Sequence, residues 1–136
     1  MSKSVTAASY IRKAERALKE AQLLLREGAT EGACNRAYCA MHDATHAALM
    51  AAGYEEPDAT IKTHNGLIAA FGQKLVQSDA LDPALGRSLN KVQDIRLIAD
   101  YTCELPPLDQ ATWAVEEAET FVTAIRTKFM PPKGKA

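Results

Sequence analysis

Asn35-Arg36-Ala37-Tyr38-Cys39-Ala40-Met41-His42-Asp43-Ala44-Thr45-His46 lies inside an Ala-rich, proline-free segment running from about residue 31 to 52. That composition favours helix. At about 100° per residue, Asn35, Arg36, Cys39, His42, Asp43 and His46 fall on one side, and Ala37, Met41, Ala44, Thr45 and Ala48 on the other. The small, mostly apolar side is built to bury. The polar side gathers a base, an acid, a thiol and two imidazoles, which is the material of a site. It is also what the solvated side of an amphipathic helix ordinarily carries. Spacing alone leaves both readings open.

Helical periodicity extends in both directions from this stretch. Upstream, residues 5–27 place Ile11, Ala14, Leu18, Ala21 and Leu25 on one stripe. Arg12, Arg16 and Lys19 line another face, interleaved with Glu15 and Glu20. We read that row as a solvated face with intrahelical ion pairs, with phosphate contact as its alternative. Gly28 supplies a stop and Thr30 an N-cap candidate. Downstream, Gly53 ends the second helix, and 54–62 is a loop containing Pro57.

Thr63-His64-Asn65-Gly66 opens a shorter third helix that reaches Val76, with Thr63 as cap. Gly66 and Gly72 weaken it, which points to close packing or local mobility. After a turn at 78–81, Asp82-Pro83 is a helix start. The fourth helix, 83–103, turns Leu85, Leu89, Val92 and Ala99 inward and groups Arg96, Asp100 and Cys103 on a neighbouring face. Leu105-Pro106-Pro107-Leu108 breaks the chain. Asp109 then caps a fifth helix that buries Trp113, Ala114, Ala118, Phe121, Ile125 and Phe129 and turns Glu116, Glu117 and Glu119 to solvent. No stretch alternates like a strand. The expected fold is all-α: an antiparallel bundle of four long helices plus one short one, a single domain over 1–130 with a flexible basic tail over 131–136.

A chain of 136 residues holds one domain with a real core. Its net charge of -1 gives no global pull towards nucleic acid, so a polyanion site has to be a local patch. No apolar run reaches membrane-spanning length, and the first residues lack a hydrophobic signal core. Cys34, Cys39 and Cys103 form neither an even disulfide framework nor a zinc-knuckle spacing. We read them as reduced thiols in a cytoplasmic protein that uses no cofactor.

Three constellations carry chemistry. His42 and His46, four apart, have the spacing of two imidazoles on one ion, but no glutamate stands between them and no further ligand motif follows, so no metal is expected. Cys39 and His42 share a face, yet nothing offers an oxyanion hole beside a mid-helix thiol. Arg96 and Asp100 make an i,i+4 ion pair, or a phosphate clamp through the arginine fork. If the second and fourth helices pack face to face, Arg36, His42, His46 and Arg96 surround one cleft. Imidazoles and guanidinium groups suit metal-independent RNA cleavage, in which a histidine deprotonates the ribose hydroxyl and arginine stabilises the charged phosphorane.

Asn35-Arg36-Ala37-Tyr38-Cys39-Ala40-Met41, Thr63-His64-Asn65-Gly66, Leu81-Asp82-Pro83-Ala84-Leu85-Gly86-Arg87 and Arg96-Leu97-Ile98-Ala99-Asp100-Tyr101 together resemble the HEPN superfamily. Within it they look like the short stand-alone prokaryotic branch with an "NRAYYA" second helix and an "RxxADY" fourth helix. The resemblance covers about residues 10 to 128. It implies a homodimer that brings fourth-helix motifs from two chains into one cleft. It also implies RNA or nucleotide as ligand, a metal-independent ribonuclease of the toxin or defence type, and a nucleotidyltransferase antitoxin as partner. The family signature is an arginine followed after four to six residues by histidine. Arg96 matches the arginine, and Tyr101, Thr102 and Cys103 stand where the histidine would be. The branch tends to carry an aromatic where His42 stands and a histidine where Asp43 stands, so His42 either does the neighbouring position's work or is a substitution peculiar to this chain. Some such antitoxins adenylylate a tyrosine just beyond the arginine, which makes Tyr101 the candidate acceptor. The expected catalytic set is Arg96, Asp100, His42 and His46, with Arg36, Asn35, Tyr101 and His64 contacting RNA or nucleotide. The alternative is a non-catalytic nucleotide- or RNA-binding module that partners a nucleotidyltransferase.

Overall fold

Thr6 opens the first helix, α1 (Ala7–Arg26), through a reciprocal cap: its hydroxyl accepts from the Ser9 N–H at 3.1 Å, and Ser9 Oγ accepts from the Thr6 N–H at 2.9 Å. The computed structural model describes residues 6–54, 64–77 and 81–130; the side chains of His64 and Asn65 are not among what it describes. Most of the expected 54–62 loop, the Thr63 cap, most of the 78–81 turn and the tail at 131–136 lie outside the described residues.

Gly28, at φ 77, turns the chain after α1, while the Gly28 and Ala29 N–H groups close on the carbonyls of Leu25 and Leu24 at 3.0 and 2.9 Å. The next helix, α2 (Thr30–Ala51), begins so soon that Ala29 is its N-cap and Thr30 already lies inside the first turn. The expected Thr30 cap therefore does not form. Gly53, at φ 84, ends α2.

α2 is the centre of the bundle and packs on α1 and on every later helix. Alanines let the first two helices meet closely: Ala14, Ala17 and Ala21 of α1 and Ala33, Ala37, Ala40, Ala44 and Ala47 of α2 are fully buried. That approach buries part of α2's polar side too. Asp43 and His46 are only 7% and 3% exposed, so the solvated-face reading fails for them. In α1 the inward stripe runs through Ala17, with Leu18 and Leu25 only part-buried.

α3 (His64–Ala70) continues into one π-helical stretch, Phe71–Val76, whose Phe71 ring stacks on Phe121 at 5.3 Å. A Cβ at Gly72 would meet no heavy atom within 4 Å, so close packing is not the reason for that glycine. α4 (Pro83–Thr102) starts as expected: the Asp82 carboxylate accepts from the Ala84 N–H at 2.9 Å, with Pro83 in the first turn. It ends at Cys103, which is left-handed at φ 59. α5 (Leu108–Phe129) is entered through extended Pro107, so Asp109 sits in its first turn rather than at the cap, accepting from the Gln110 N–H at 2.8 Å. The fully buried large side chains are led by Tyr38, Phe71, Phe121, Met41 and Leu49. All regular structure among the described residues is helical, in five helices, and no helix among them is long and apolar enough to cross a membrane.

Candidate functional site

Where α2 turns its polar side between α1 and α4, the helices leave a cleft of about 350 Å³. α2 supplies Asn35, Arg36, Cys39, His42 and Asp43 to its walls, α1 adds Lys13 and α4 adds Arg96, with Tyr38 beneath. The buried Tyr38 ring is a platform: the Arg96 guanidinium lies 5.0 Å over it, and its hydroxyl donates to Gln93 Oε1 at 3.4 Å. Burial pushes the Tyr38 phenol up to about 12 in spite of the nearby Arg96 charge, so it stays a neutral donor.

Each cation of the cleft leans on a carboxylate. Arg36 Nη2 is 2.7 Å from Glu20 Oε1, Arg96 Nε is 3.6 Å from Asp100 Oδ2, and Lys13 Nζ is 4.0 Å from Asp43 Oδ1. Asp43 Oδ1 also lies 3.8 Å from His42 Nδ1. These pairs leave donors over. Arg36 Nε and Arg96 Nη1 are buried, and neither finds a hydrogen-bond partner among the described residues. A buried donor of this kind costs about 1–3 kcal/mol, more when charged, unless something accepts from it. Both nitrogens belong to arginines that line the one cleft.

Cys39 occupies the middle of this ring of charge. Burial raises its pKa; Arg36, Arg96 and Lys13 oppose the rise, and Asp43 adds to it. The thiol donates towards Asn35 Oδ1 at 3.7 Å and remains a thiol, the wrong state for a nucleophile.

A HEPN domain matches this chain over residues 7–128. The chain belongs to the HEPN family. One relative, a Methanocaldococcus jannaschii protein named as a candidate toxin, is 31% identical over 113 residues, 83% of this chain and 81% of that one. A UPF0332 protein of Thermotoga maritima is 30% identical over 116 residues, covering 84% and 83% of the two chains. Another, from Gloeobacter violaceus, is 30% identical over 89 residues, 65% of this chain and 67% of its own.

In this HEPN chain the cleft gathers Asn35, Arg36, His42 and Arg96 of the expected site, with Asp100 attached through Arg96. His46 does not line it. The His46 ring is buried one turn along α2, stacked on Tyr10 at 4.8 Å and 16° and meeting His42 edge-on at 4.8 Å. Tyr101 is 82% exposed and also stands outside the cleft wall, because five residues of helix rotate it away from Arg96. The His64 side chain lies outside the described residues. Sequence reasoning missed Lys13, Glu20 and Gln93. A signal existed for two of them: Lys13 and Glu20, seven apart, share one face of α1 and mirror the mixed charge of α2. Among the described residues no three His, Cys, Asp or Glu side chains gather as a metal-binding group.

Proposed function

We propose that this chain is a toxin-type HEPN protein that grips an RNA phosphate in the α1–α2–α4 cleft and cleaves the strand without a metal. The observation that carries the reading is the pair of buried arginine nitrogens, Arg36 Nε and Arg96 Nη1, that lack partners among the described residues. Phosphate oxygens accept from such forks. His42, whose Nδ1 lies 3.8 Å from Asp43 Oδ1, is the group that takes the proton of the ribose 2′ hydroxyl. The proton passes to His42, O2′ bonds to phosphorus, and the bond from phosphorus to O5′ breaks. The products are a 2′,3′-cyclic phosphate and a 5′ hydroxyl, whose oxygen takes a proton from water at the open mouth. Arg96 and Arg36 hold the charge of the phosphorane, and Asp100 orients Arg96. His46 acts behind His42 rather than on substrate. A second copy of the chain completes a homodimer, as the family resemblance implies.

A second reading has its own observation. Tyr101, 82% exposed near the C-terminal end of α4, is accessible to a modifying enzyme. In that reading the chain is a binding module whose cleft holds nucleotide or RNA without turnover, and a nucleotidyltransferase antitoxin adenylylates Tyr101.

Cleavage of labelled transfer RNA in excess chelator, with Arg96→Ala in parallel, separates the two. Cyclic-phosphate ends that vanish in the variant are expected. Intact RNA with retained RNA or nucleotide binding would overturn the ribonuclease reading and favour the module.

A further inference from the structure

α1 carries a basic row that the cleft does not use, and the structure removes the simplest account of it. Helix spacing offers Glu15 to Lys19 and Arg16 to Glu20 as i,i+4 pairs. Neither forms. Glu15 reaches across to Arg126 of α5 at 2.7 Å, and Glu20 reaches across to Arg36 of α2 at 2.7 Å. Arg12, Arg16 and Lys19 are left exposed, with no carboxylate within ion-pair distance among the described residues. Both interleaved acids are tied to arginines of the neighbouring helices, one on either side of the row.

The placement is directional. At about 100° per residue the three cations fall within about 60° of one another on the outer side of α1. They lie about a quarter turn from Lys13, which lines the cleft. Arg12 to Lys19 spans about 10 Å at 1.5 Å rise per residue, and a quarter turn around a helix about 10–12 Å wide adds under about 10 Å. A polyanion leaving the cleft past Lys13 therefore meets the row within a few of its own repeats.

We propose that Arg12, Arg16 and Lys19 are the strand-guiding surface of this protein: they hold the phosphate backbone of single-stranded RNA as it enters or leaves the cleft. The inference rests on the reading of the cleft as an RNA site and extends it from one phosphate to a track. It also gives a chain of net charge -1 a local basic patch through which to engage nucleic acid, since Arg12, Arg16 and Lys19 share one face of α1.

The test is equilibrium binding of a labelled single-stranded RNA across a salt series. The proteins compared are the full chain, Arg12→Gln/Arg16→Gln/Lys19→Gln, a charge-keeping Arg12→Lys/Arg16→Lys variant, and Arg96→Ala. Each single-strand phosphate contact contributes about -0.7 to the slope of log K against log salt, so losing three flattens the slope by about 2 and weakens binding on the order of a hundredfold at 0.1 M salt. The lysine variant keeps the original slope. An unchanged slope and affinity in the triple-glutamine variant overturns the proposal, as does binding of anionic vesicles that needs the row while RNA binding does not. The cleft reading is scored separately: a row-dependent slope with no effect of Arg96→Ala keeps the track and sinks the cleft. An effect of Arg96→Ala with none of the row does the reverse.

Discussion

Arg96→Met is expected to leave the fold as stable as before while weakening the RNA binding proposed for the cleft. The change keeps a long apolar stem over Tyr38 and deletes the guanidinium. Two favourable contacts go with it. The pair with Asp100 at 3.6 Å involves side chains 20% and 34% exposed and places the cation N-terminal to the acid, the weaker order, so it contributes only about 0.3 kcal/mol. The cation over Tyr38 contributes about 1–2 kcal/mol in this partly desolvated setting. On the other side, the unpartnered Nη1 costs about 1–3 kcal/mol in the folded state, and the substitution removes that cost. The terms nearly cancel, leaving stability within about 1 kcal/mol of the parent, or a Tm change of about 3–5 °C for a domain of this size. Binding has no such compensation. A hydrogen bond to a charged phosphate contributes about 1.5–3 kcal/mol, so affinity falls about ten- to hundredfold. Thermal unfolding by circular dichroism and fluorescence titration with RNA measure the two effects. A stability loss above about 2 kcal/mol would show that Arg96 is a structural pair and that its spare nitrogen is not held ready for a ligand.

Glu20→Gln frees Arg36 from a competing carboxylate. Because the side chains are 36% and 46% exposed, the pair contributes about 0.2–1 kcal/mol, so folding hardly changes and phosphate or RNA affinity rises about two- to fivefold in the same titration; a weaker complex would show that Glu20 positions Arg36 for binding. Alkaline pH should destabilise the protein early. Burial raises Cys34 from 9.0 to about 11 and Tyr38 from 10.0 to about 12, so between pH 9 and 12 the unfolded chain loses these protons first and stability falls as pH rises. Urea unfolding at pH 8 and 11 should show each group contributing a loss on the order of 1–2 kcal/mol at the higher pH, and Tyr38→Phe should flatten part of it; an identical pH dependence in that variant would remove Tyr38 from the account. Two glycines should respond oppositely to alanine. Gly72→Ala, with open space around its Cβ, gains about 0.4–1 kcal/mol, whereas Gly28→Ala, at φ 77, loses about 1 kcal/mol or more. Denaturant midpoints of the pair decide this, and a destabilised Gly72→Ala would mean that the π-helical stretch needs glycine's freedom.

Local signals made two helix boundaries legible in the sequence, at Asp82-Pro83 and Gly28, but not the start of α5, where extended Pro107 leaves Asp109 inside the first turn. Asp82-Pro83 and Gly28 act through their own backbone and their nearest N–H groups, so no knowledge of the bundle is needed to read them. Thr30 misled because the turn is one residue tighter than expected: the Ala29 carbonyl already accepts from the Ala33 N–H at 2.9 Å, which leaves Thr30 inside α2. The site shows the same limit on a larger scale. Periodicity states that Asn35, Arg36, His42, Asp43 and His46 share one side of a helix, but not how many neighbours cover that side. The alanines of α1 decide it: they let α1 lie close enough to bury Asp43 and His46 while Arg36 and His42 keep access to the cleft.

Ion pairing follows the same rule. An exposed glutamate in an isolated helix takes the lysine or arginine four residues away, but Glu15 and Glu20 each stand at the edge of α1, where an arginine fork from the next helix reaches 2.7 Å. That choice joins the cleft to the basic row: Glu20, by crossing to Arg36, holds one cleft cation at rest and leaves Arg16 exposed on the outer face. The pairing therefore sets the charge of both surfaces, and Glu20→Gln should strengthen ligand binding at the cleft without altering the contribution of the row to the salt slope. A change in that contribution would show that the two surfaces do not divide the work in this way.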